Sequence, residues 1–242
     1  MNRREWIFQS VACLAAAVCD RGKASVMNIP SNPPLRDATK AFDHILLGTS
    51  DLESGIAWME KNTGVRAIFG GAHPGRGTWN ALLSFGRLQY LEIIAPDPAQ
   101  ANVHEEFGLA QLSSPRIVQW AVHTEDIAGV KRDAVAAGVK TIGPASGSRQ
   151  RPDGKLLKWR ILGIEQTTPL LPFFIQWEPG SPHPSLDAPR LGTVESLRFE
   201  TPQPDELRRV LRAAAIQADI RRSDTPRIVA GLETAKGAVE IS

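Results

Sequence analysis

A glycine-rich stretch at residues 70–85, GGAHPGRGTWNALLSF, contains a histidine, an arginine and an asparagine that could contact a small molecule. Its core, GRGTWN, approaches the G-x-G-x-x-G loop that binds dinucleotides, but Asn80 stands where the third glycine belongs. Such a loop must also open a helix, because the helix N-terminus holds the pyrophosphate. Here the stretch leads into NALLSF, which is typical of a strand, and no G-K-[ST] follows. The pattern therefore argues against a nucleotide-binding loop.

The same stretch could instead bind a different small molecule. We expect His73 and Arg76 to bind an anionic substrate, since a guanidinium makes bidentate contacts with carboxylates. Asn80 shares a strand face with Leu82 and Ser84, from which it could reach a ligand. The alternative is an ordinary turn shaped by its proline and glycines, with the arginine solvated.

Two further polar residues lie in apolar strands. Glu92 is part of YLEIIAP, where a carboxylate is costly to bury unless it is paired or bound to a metal. His44 is part of FDHILLG, and strand alternation predicts that the adjacent Asp43 points to the opposite face. The alternatives are a solvated sheet face for Glu92 and a structural hydrogen bond for His44.

A pattern of one strand, a helix and three strands recurs beyond residue 40. The copies begin with AFDHILLGTSDLESGIAWMEKNTGV, IVQWAVHTEDIAGVKRDAVAAGV and TVESLRFETPQPDELRRVLRAAAI, and each helix has an apolar stripe at helical spacing. The strands after each helix are predicted at 65–70, 79–86 and 88–95, at 140–144, 155–162 and 172–178, and at 218–222, 226–233 and 237–241. The units predict an α+β fold with mixed sheets.

The first 24 residues differ from the rest of the chain. Their basic start and short apolar run are typical of a signal peptide and too short to span a bilayer comfortably. Arg3 and Arg4 resemble a twin-arginine signal, which predicts export to the periplasm. The alternative is a cytoplasmic protein with a frayed N-terminal helix. Residues 25–40 are rich in proline and are predicted to be a linker.

Charge and cysteine content limit the partners. Removing the leader takes away four of the 28 basic and two of the 26 acidic residues, which leaves a formally neutral remainder. Neutrality gives no reason to expect nucleic acid as a partner. Both cysteines lie in the leader, so the mature chain has no cysteine for a disulfide, a nucleophile or a metal. We expect a small-molecule ligand, no nucleic acid and no transmembrane span in the mature chain, with the oligomeric state open.

The segments FDHILLGTSDLESGIAWMEKNTGV, HPGRGTWNALLS and YLEIIAPDP resemble the glyoxalase-like domain family of the vicinal oxygen chelate superfamily. The resemblance covers residues 42 to about 186. It implies a glyoxalase-like domain at 41–186, whose two βαβββ modules form a half-barrel cup. Residues 187–242 are predicted to be an additional partial βαβββ module.

The resemblance also implies a divalent metal, held by the first and last strands of the modules. It places His44 and Glu92 as ligands in the first module and Gln119 at the position of His44 in the second. Ile175 falls at the position of Glu92 and cannot bind a metal, so water would complete an open site. Zinc, manganese, iron or nickel would suit such ligands.

Other histidines and the tryptophans lie near the predicted cup. His123 stands at a strand end, where we expect it only to help cap the next helix, and His183 in SPHPS could lie at the mouth of the cup. Four tryptophans fall on or beside strands, namely Trp79, Trp120, Trp159 and Trp177. They could line the cup for an apolar ligand, and core packing is the alternative.

The resemblance implies a glyoxalase-like small-molecule enzyme. The metal would polarise vicinal oxygens of the substrate, and Glu92 would move a proton. Isomerase, lyase and ring-cleaving dioxygenase reactions all fit this description. The alternative is a metal-free protein that binds and sequesters a small molecule, as bleomycin-resistance proteins do. The missing carboxylate in the second module favours that alternative.

Overall fold

The computed structural model describes residues 34–86, 88–101, 103, 107–165 and 170–242. The predicted export signal and the first residues of the predicted linker lie outside this part of the chain. Among the described residues, no helix has both the length and the apolar character that crossing a membrane requires. The end of the predicted linker is ordered, because strand β1 (Arg36–Asp37) pairs with residues 216–217 and precedes helix α1 (Ala38–Ala41).

The first module has the predicted order of elements. They are β2 (Phe42–Gly48), α2 (Leu52–Thr63), β3 (Ile68–His73), β4 (Thr78–Gly86) and β5 (Gln89–Pro96). Helix α2 begins where the Asp51 side chain accepts a hydrogen bond from the Ser54 amide at 2.8 Å, which satisfies a free N–H of the first turn. It ends at Gly64, whose φ of 81° is left-handed. Both end signals are local features of the sequence.

The second module repeats this order. Its elements are β6 (Arg116–His123), α3 (Ile127–Ala136), β7 (Thr141–Gln150), β8 (Leu156–Ile164) and β9 (Phe173–Trp177). The prediction that β7 ends at residue 144 is wrong, because residues 145–150 pair with residues 156–161 of β8. Pairing with a neighbouring strand outweighs the weak strand preference of this Gly- and Ser-rich segment.

The two modules form one eight-stranded sheet in the order β3-β4-β5-β2-β6-β9-β8-β7. They join where β2 pairs antiparallel with β6. The sheet curls until its two edge strands approach each other, and a Cβ atom at Gly71 of β3 would lie 2.9 Å from the Gln150 carbonyl oxygen of β7. Glycine is therefore required at this seam. The predicted α+β class and half-barrel are confirmed.

The third unit packs on the outer face of the large sheet. Its elements are β10 (Gly192–Thr201), α4 (Pro204–Ala213), β11 (Ile216–Gln217), β12 (Asp219–Arg222), β13 (Arg227–Thr234) and β14 (Gly237–Ile241). Trp120 of β6 and Phe199 of β10 are fully buried, with ring centroids 4.9 Å apart. Truncating such a tryptophan to alanine costs about 3 to 5 kcal/mol. The main core thus lies outside the cup, which leaves the inner face for a ligand.

Candidate functional site

The concave face of the large sheet encloses a cavity of about 1010 Å³. This volume is at the upper end of the range for small-molecule sites. Strand alternation places His44 and Leu46 of β2 and Glu92 and Ile94 of β5 on the cavity face. Residues 225–228 of the third unit also line the cavity.

Glu92 lies in a polar cluster to which all four strands of the first module contribute. Its Oε1 accepts a hydrogen bond from Asn80 Nδ2 at 2.8 Å, and its Oε2 lies 3.6 Å from His44 Nε2. The Nε2 atom of His73 lies 3.5 Å from Glu92 Oε1. The structure therefore brings together four of the residues that the sequence predicts for the site.

Burial and neighbouring charges act on the Glu92 carboxyl in opposite directions. Burial alone raises the pKa of Glu92, but His73, His44, the Asn80 hydrogen bond and Arg149 together outweigh burial, and the pKa is lowered. Burial also lowers the pKa of His73. At neutral pH the site therefore contains an ionised carboxylate beside a neutral imidazole.

Asn80 links His73 to Glu92. The Nδ1 atom of His73 is 2.9 Å from Thr78 Oγ1, and its Nε2 is 3.2 Å from Asn80 Nδ2. These contacts suit a neutral imidazole that donates from Nδ1 and accepts at Nε2. A side chain at position 70 would collide with Asn80 Oδ1, so Gly70 makes room for the asparagine. Gly70 thus serves the site through packing.

A fully buried aspartate, Asp43, supports this cluster from behind. Its Oδ1 accepts a hydrogen bond from His44 Nδ1 at 2.7 Å. Its Oδ2 accepts from Trp177 Nε1 at 2.9 Å and lies 3.2 Å from His123 Nδ1 and 3.3 Å from His183 Nε2. Burial alone raises the pKa of Asp43, but the hydrogen bonds from His123, His183 and His44 hold it well below its usual range.

The prediction that Asp43 points away from His44 is wrong. Phe42 and His44 pair with the consecutive residues Val122 and Ala121, so Asp43 is the extra residue of a β-bulge. A bulge breaks the strict alternation of strand faces. As a result, Asp43 fixes the Nδ1 side of His44, which leaves Nε2 facing Glu92.

The predicted metal ligands assemble only in part. His44 and Glu92 face each other with the donor atoms that a divalent ion prefers. The Oε1 atom of Gln119, however, accepts a hydrogen bond from the Trp120 amide at 2.8 Å. Within the described ranges, no group of three His, Cys, Asp or Glu residues is placed to hold a metal ion. The metal set of His44, Glu92 and Gln119 therefore stays a prediction, and the Trp120 amide already occupies the Gln119 oxygen.

The second module lines its part of the cavity mainly with apolar side chains. Phe173, Ile175 and Trp177 of β9 alternate onto the cavity face, beside Trp159 and Ile161 of β8. The rings of Trp159 and Trp177 meet edge to face, with centroids 5.6 Å apart. This half of the cup presents the surface that an apolar or aromatic group would contact.

Four arginines line the cavity, namely Arg76, Arg116, Arg149 and Arg227. Arg76 lies in the turn between β3 and β4, as the sequence predicts. Arg149 of β7 was missed, because its segment reads as a loop. It is buried beneath the seam of the sheet, and burial lowers its pKa. No local sequence signal marks it, since the pairing of β7 with β8 is what carries it inward.

Comparisons with known proteins agree with this fold. Residues 42–215 match the model of the glyoxalase-like domain family, and the chain belongs to that family. The matched range runs past residue 186 and includes β10 and α4. Proteins of this family are small-molecule enzymes or binding proteins.

A solved structure shows the same fold at low sequence identity, and further solved structures match parts of the chain. A hypothetical protein from Staphylococcus aureus is 16% identical with a TM-score of 0.62, and the match covers 83% of this chain and 98% of that one. Methylmalonyl-CoA epimerase from Mycobacterium tuberculosis is 18% identical with a TM-score of 0.43, over 58% of this chain and 90% of that one. No curated protein sequence matches the chain.

Proposed function

We propose that the protein is a small-molecule enzyme that moves a proton at a carbon next to a carbonyl group, with Glu92 as the base. The observation that carries this proposal is a buried carboxylate, kept ionised by its neighbours, on the wall of a ligand-sized cavity. A carboxylate placed within reach of a carbon acid is a general base. Asn80 holds Oε1 of Glu92, so Oε2 is the atom that would take the proton.

In the proposed step Oε2 of Glu92 takes the proton from the substrate carbon. The electron pair of the C–H bond becomes the C=C bond of an enolate, and the carbonyl oxygen takes the negative charge. Return of the proton to the opposite face of that carbon gives an epimer. In a 2-hydroxy ketone, return of the proton to the former carbonyl carbon, with the hydroxyl proton moving to the other oxygen, gives an isomer. Expulsion of a leaving group from the carbon β to the carbonyl gives a lyase reaction. The Asp43–His44 pair would keep the carboxylate in place.

Solvent exchange tests this proposal. The protein is incubated in D₂O with 2-oxo acids, 2-hydroxy ketones and 1,3-dicarbonyl compounds, and deuterium incorporation is followed by NMR. We expect the wild type to accelerate exchange for at least one class and Glu92→Gln to abolish that acceleration. The exposed Glu165, which pairs with Lys140 at 3.4 Å, supplies the control Glu165→Gln. Exchange that persists in Glu92→Gln would contradict the proposal.

Metal analysis of untagged protein accompanies the exchange measurement. Exchange that requires a stoichiometric divalent ion, lost in both His44→Ala and Glu92→Ala, would replace the proposal with the metal-dependent mechanism that the family resemblance implies.

A binding protein that sequesters a small molecule is the second candidate. The apolar wall of the second module favours it, because such a wall binds a ligand without acting on it. Binding of a carbon acid without any acceleration of its exchange would support this candidate over the enzyme.

A further inference from the structure

Arg149 is a buried cation that the proposed step does not use. Its side chain belongs to β7, one of the two edge strands that meet at the seam of the half-barrel. The residue is only 3% exposed, and a Cβ atom at Gly71 would lie 3.0 Å from its Nη1. The guanidinium is thus packed against the glycine stretch of the first module, on the lining of the cavity.

The guanidinium of Arg149 makes no close ion pair in the described part of the chain, although it interacts with the charge of Glu92 at longer range. It has no carboxylate within 4.0 Å there, and its buried Nη1 makes no hydrogen bond. Arg151, two residues further on, shows the ordinary arrangement, since it contacts Asp187 at 2.7 Å and Asp153 at 3.3 Å. A buried charge without a close ion pair is costly in proteins, and an anionic ligand beside it would lower that cost.

We propose that Arg149 binds the carboxylate of the substrate, and that the substrate is a carboxylic acid with an aromatic or apolar body. This inference rests on the proposed function, because the same cavity holds Glu92. A planar carboxylate matches the fork of a guanidinium. The apolar wall formed by Phe173, Ile175 and Trp159 receives the body of the molecule.

The negative charge of Glu92 fixes the direction in which the substrate binds. Repulsion between two carboxylates keeps the substrate carboxylate away from Glu92 and beside Arg149. The carbon acid then lies toward Glu92 and His44. Arg149 thereby selects charged substrates and orients them.

Paired ligands that differ in charge and by one methyl group test the proposal. Phenylglyoxylate, phenylpyruvate and 4-phenyl-2-oxobutyrate are each compared with their methyl esters by isothermal titration calorimetry. We expect at least one acid to bind the wild type tenfold or more tightly than its ester. In Arg149→Gln this preference should fall to about one, with the affinity for the ester unchanged. Arg149→Lys should retain only part of the preference.

Two other arginines serve as comparisons. Arg151→Gln, outside the cavity, should keep the full preference for the acid. If Arg76→Gln removes the preference while Arg149→Gln keeps it, the anion binds at the rim and the proposal is wrong. A wild type that binds none of the acids more tightly than its ester also overturns it. If Arg149→Gln does not fold, the partial loss of acid preference expected in Arg149→Lys tests the proposal instead.

Glu92→Gln separates this proposal from the proposed function. If it loses exchange but keeps the preference for the acid, both proposals stand. If the wild type prefers the acid but accelerates no exchange, only the proposed function fails. If exchange depends on Glu92 but Arg149→Gln keeps the preference, only the Arg149 proposal fails.

Discussion

The two modules of the cup share one framework but present different surfaces to the cavity. The first module supplies the polar cluster of His44, His73, Asn80 and Glu92. The second supplies an apolar wall, with Ile175 on the fourth strand where the first module has Glu92. Equivalent strands therefore bring a carboxylate on one side of the cup and an alkyl group on the other.

This difference points to a division of labour between the two halves. In the first module, buried charge is compensated at every step, from Asp43 through His44 to Glu92. In the second module, the wall formed by β9 and Trp159 is apolar and needs no such compensation, whereas the buried Arg149 of β7 has no ion-pair partner among the described residues. We infer that the first half acts on the substrate and the second half holds its body. Each half should therefore tolerate a different kind of substitution.

Placing a carboxylate in the apolar half should have the largest effect. Ile175→Glu puts an acid among apolar side chains, where burial raises its pKa and the group must be protonated to stay buried. Protonating a glutamate at pH 7 costs about 3 to 4 kcal/mol. We expect the free energy of unfolding in urea at pH 7 to fall by that amount relative to Ile175→Gln.

The pH dependence of this loss identifies its cause. The folded-state pKa of the new carboxyl is raised, so the penalty is absent below the unfolded pKa of about 4.3 and grows as the pH rises toward the folded value. The two variants should therefore converge near pH 4. Equal stability at pH 7 would mean that the two halves do not differ as described.

Removing the charge of Asp43, which contacts the polar cluster of the first module, should have a smaller effect on stability. Asp43→Asn removes the charge that accepts hydrogen bonds from His44 and Trp177. Hydrogen bonds to charged groups contribute about 1.5 to 3 kcal/mol, so we expect the free energy of unfolding at pH 6 to fall by about 2 kcal/mol. Asp153→Asn, on an exposed turn, is the control and should change stability by less than about 0.5 kcal/mol. A neutral outcome for Asp43→Asn would mean that the buried aspartate does not support the site.

The same variant should flatten the dependence of stability on pH. The folded pKa of Asp43 is depressed, so its stabilisation is present above the unfolded pKa of about 3.9 and is lost as the pH falls through the folded value. The pKa of His123 is raised, first by its hydrogen bond to Asp43, so its stabilisation is present below about 6.5 and is lost as the pH rises through the folded value. Urea midpoints from pH 3 to pH 9 should therefore vary less in Asp43→Asn than in wild type. An unchanged profile would contradict the assigned contacts.

The sequence predicts the polar cluster of the first module better than it predicts the buried charged residues around it. Alternation within apolar strands is enough to place His44, Asn80 and Glu92 on the cavity face, because each lies in a strand with a clear hydrophobic pattern. Strand alternation does not predict the position of Asp43, because a β-bulge at this residue breaks the alternation of faces. Bulges depend on the partner strand and cannot be seen in one strand's sequence. Strand alternation also does not predict the position of Arg149, because its segment is rich in Gly and Ser and forms a strand only by pairing with β8.

The smallest effect should come from trimming the wall of the second module. Trp159 packs edge to face on Trp177, and Gly147 leaves room for its indole. An aromatic pair contributes about 0.5 to 1.5 kcal/mol beyond its buried area. We expect Trp159→Ala to weaken binding of an aromatic 2-oxo acid about tenfold by calorimetry, equivalent to about 1.4 kcal/mol. Binding of pyruvate, which lacks the aromatic body, should change less than about twofold.

The exchange rate at saturating substrate decides what this loss means. If Trp159 only holds the body of the substrate, Trp159→Ala should leave that rate within about twofold of wild type, since uniform binding affects ground and transition states alike. Leu156→Ala, at an exposed position of the same strand, is the matched control and should leave both quantities unchanged. A large fall in the rate at saturation would instead place the second module in the chemistry, because the wall would then be needed to align the carbon acid with Glu92. The two modules would then share the catalytic role, because the aromatic wall would determine how the carbon acid is placed against the Glu92 carboxylate.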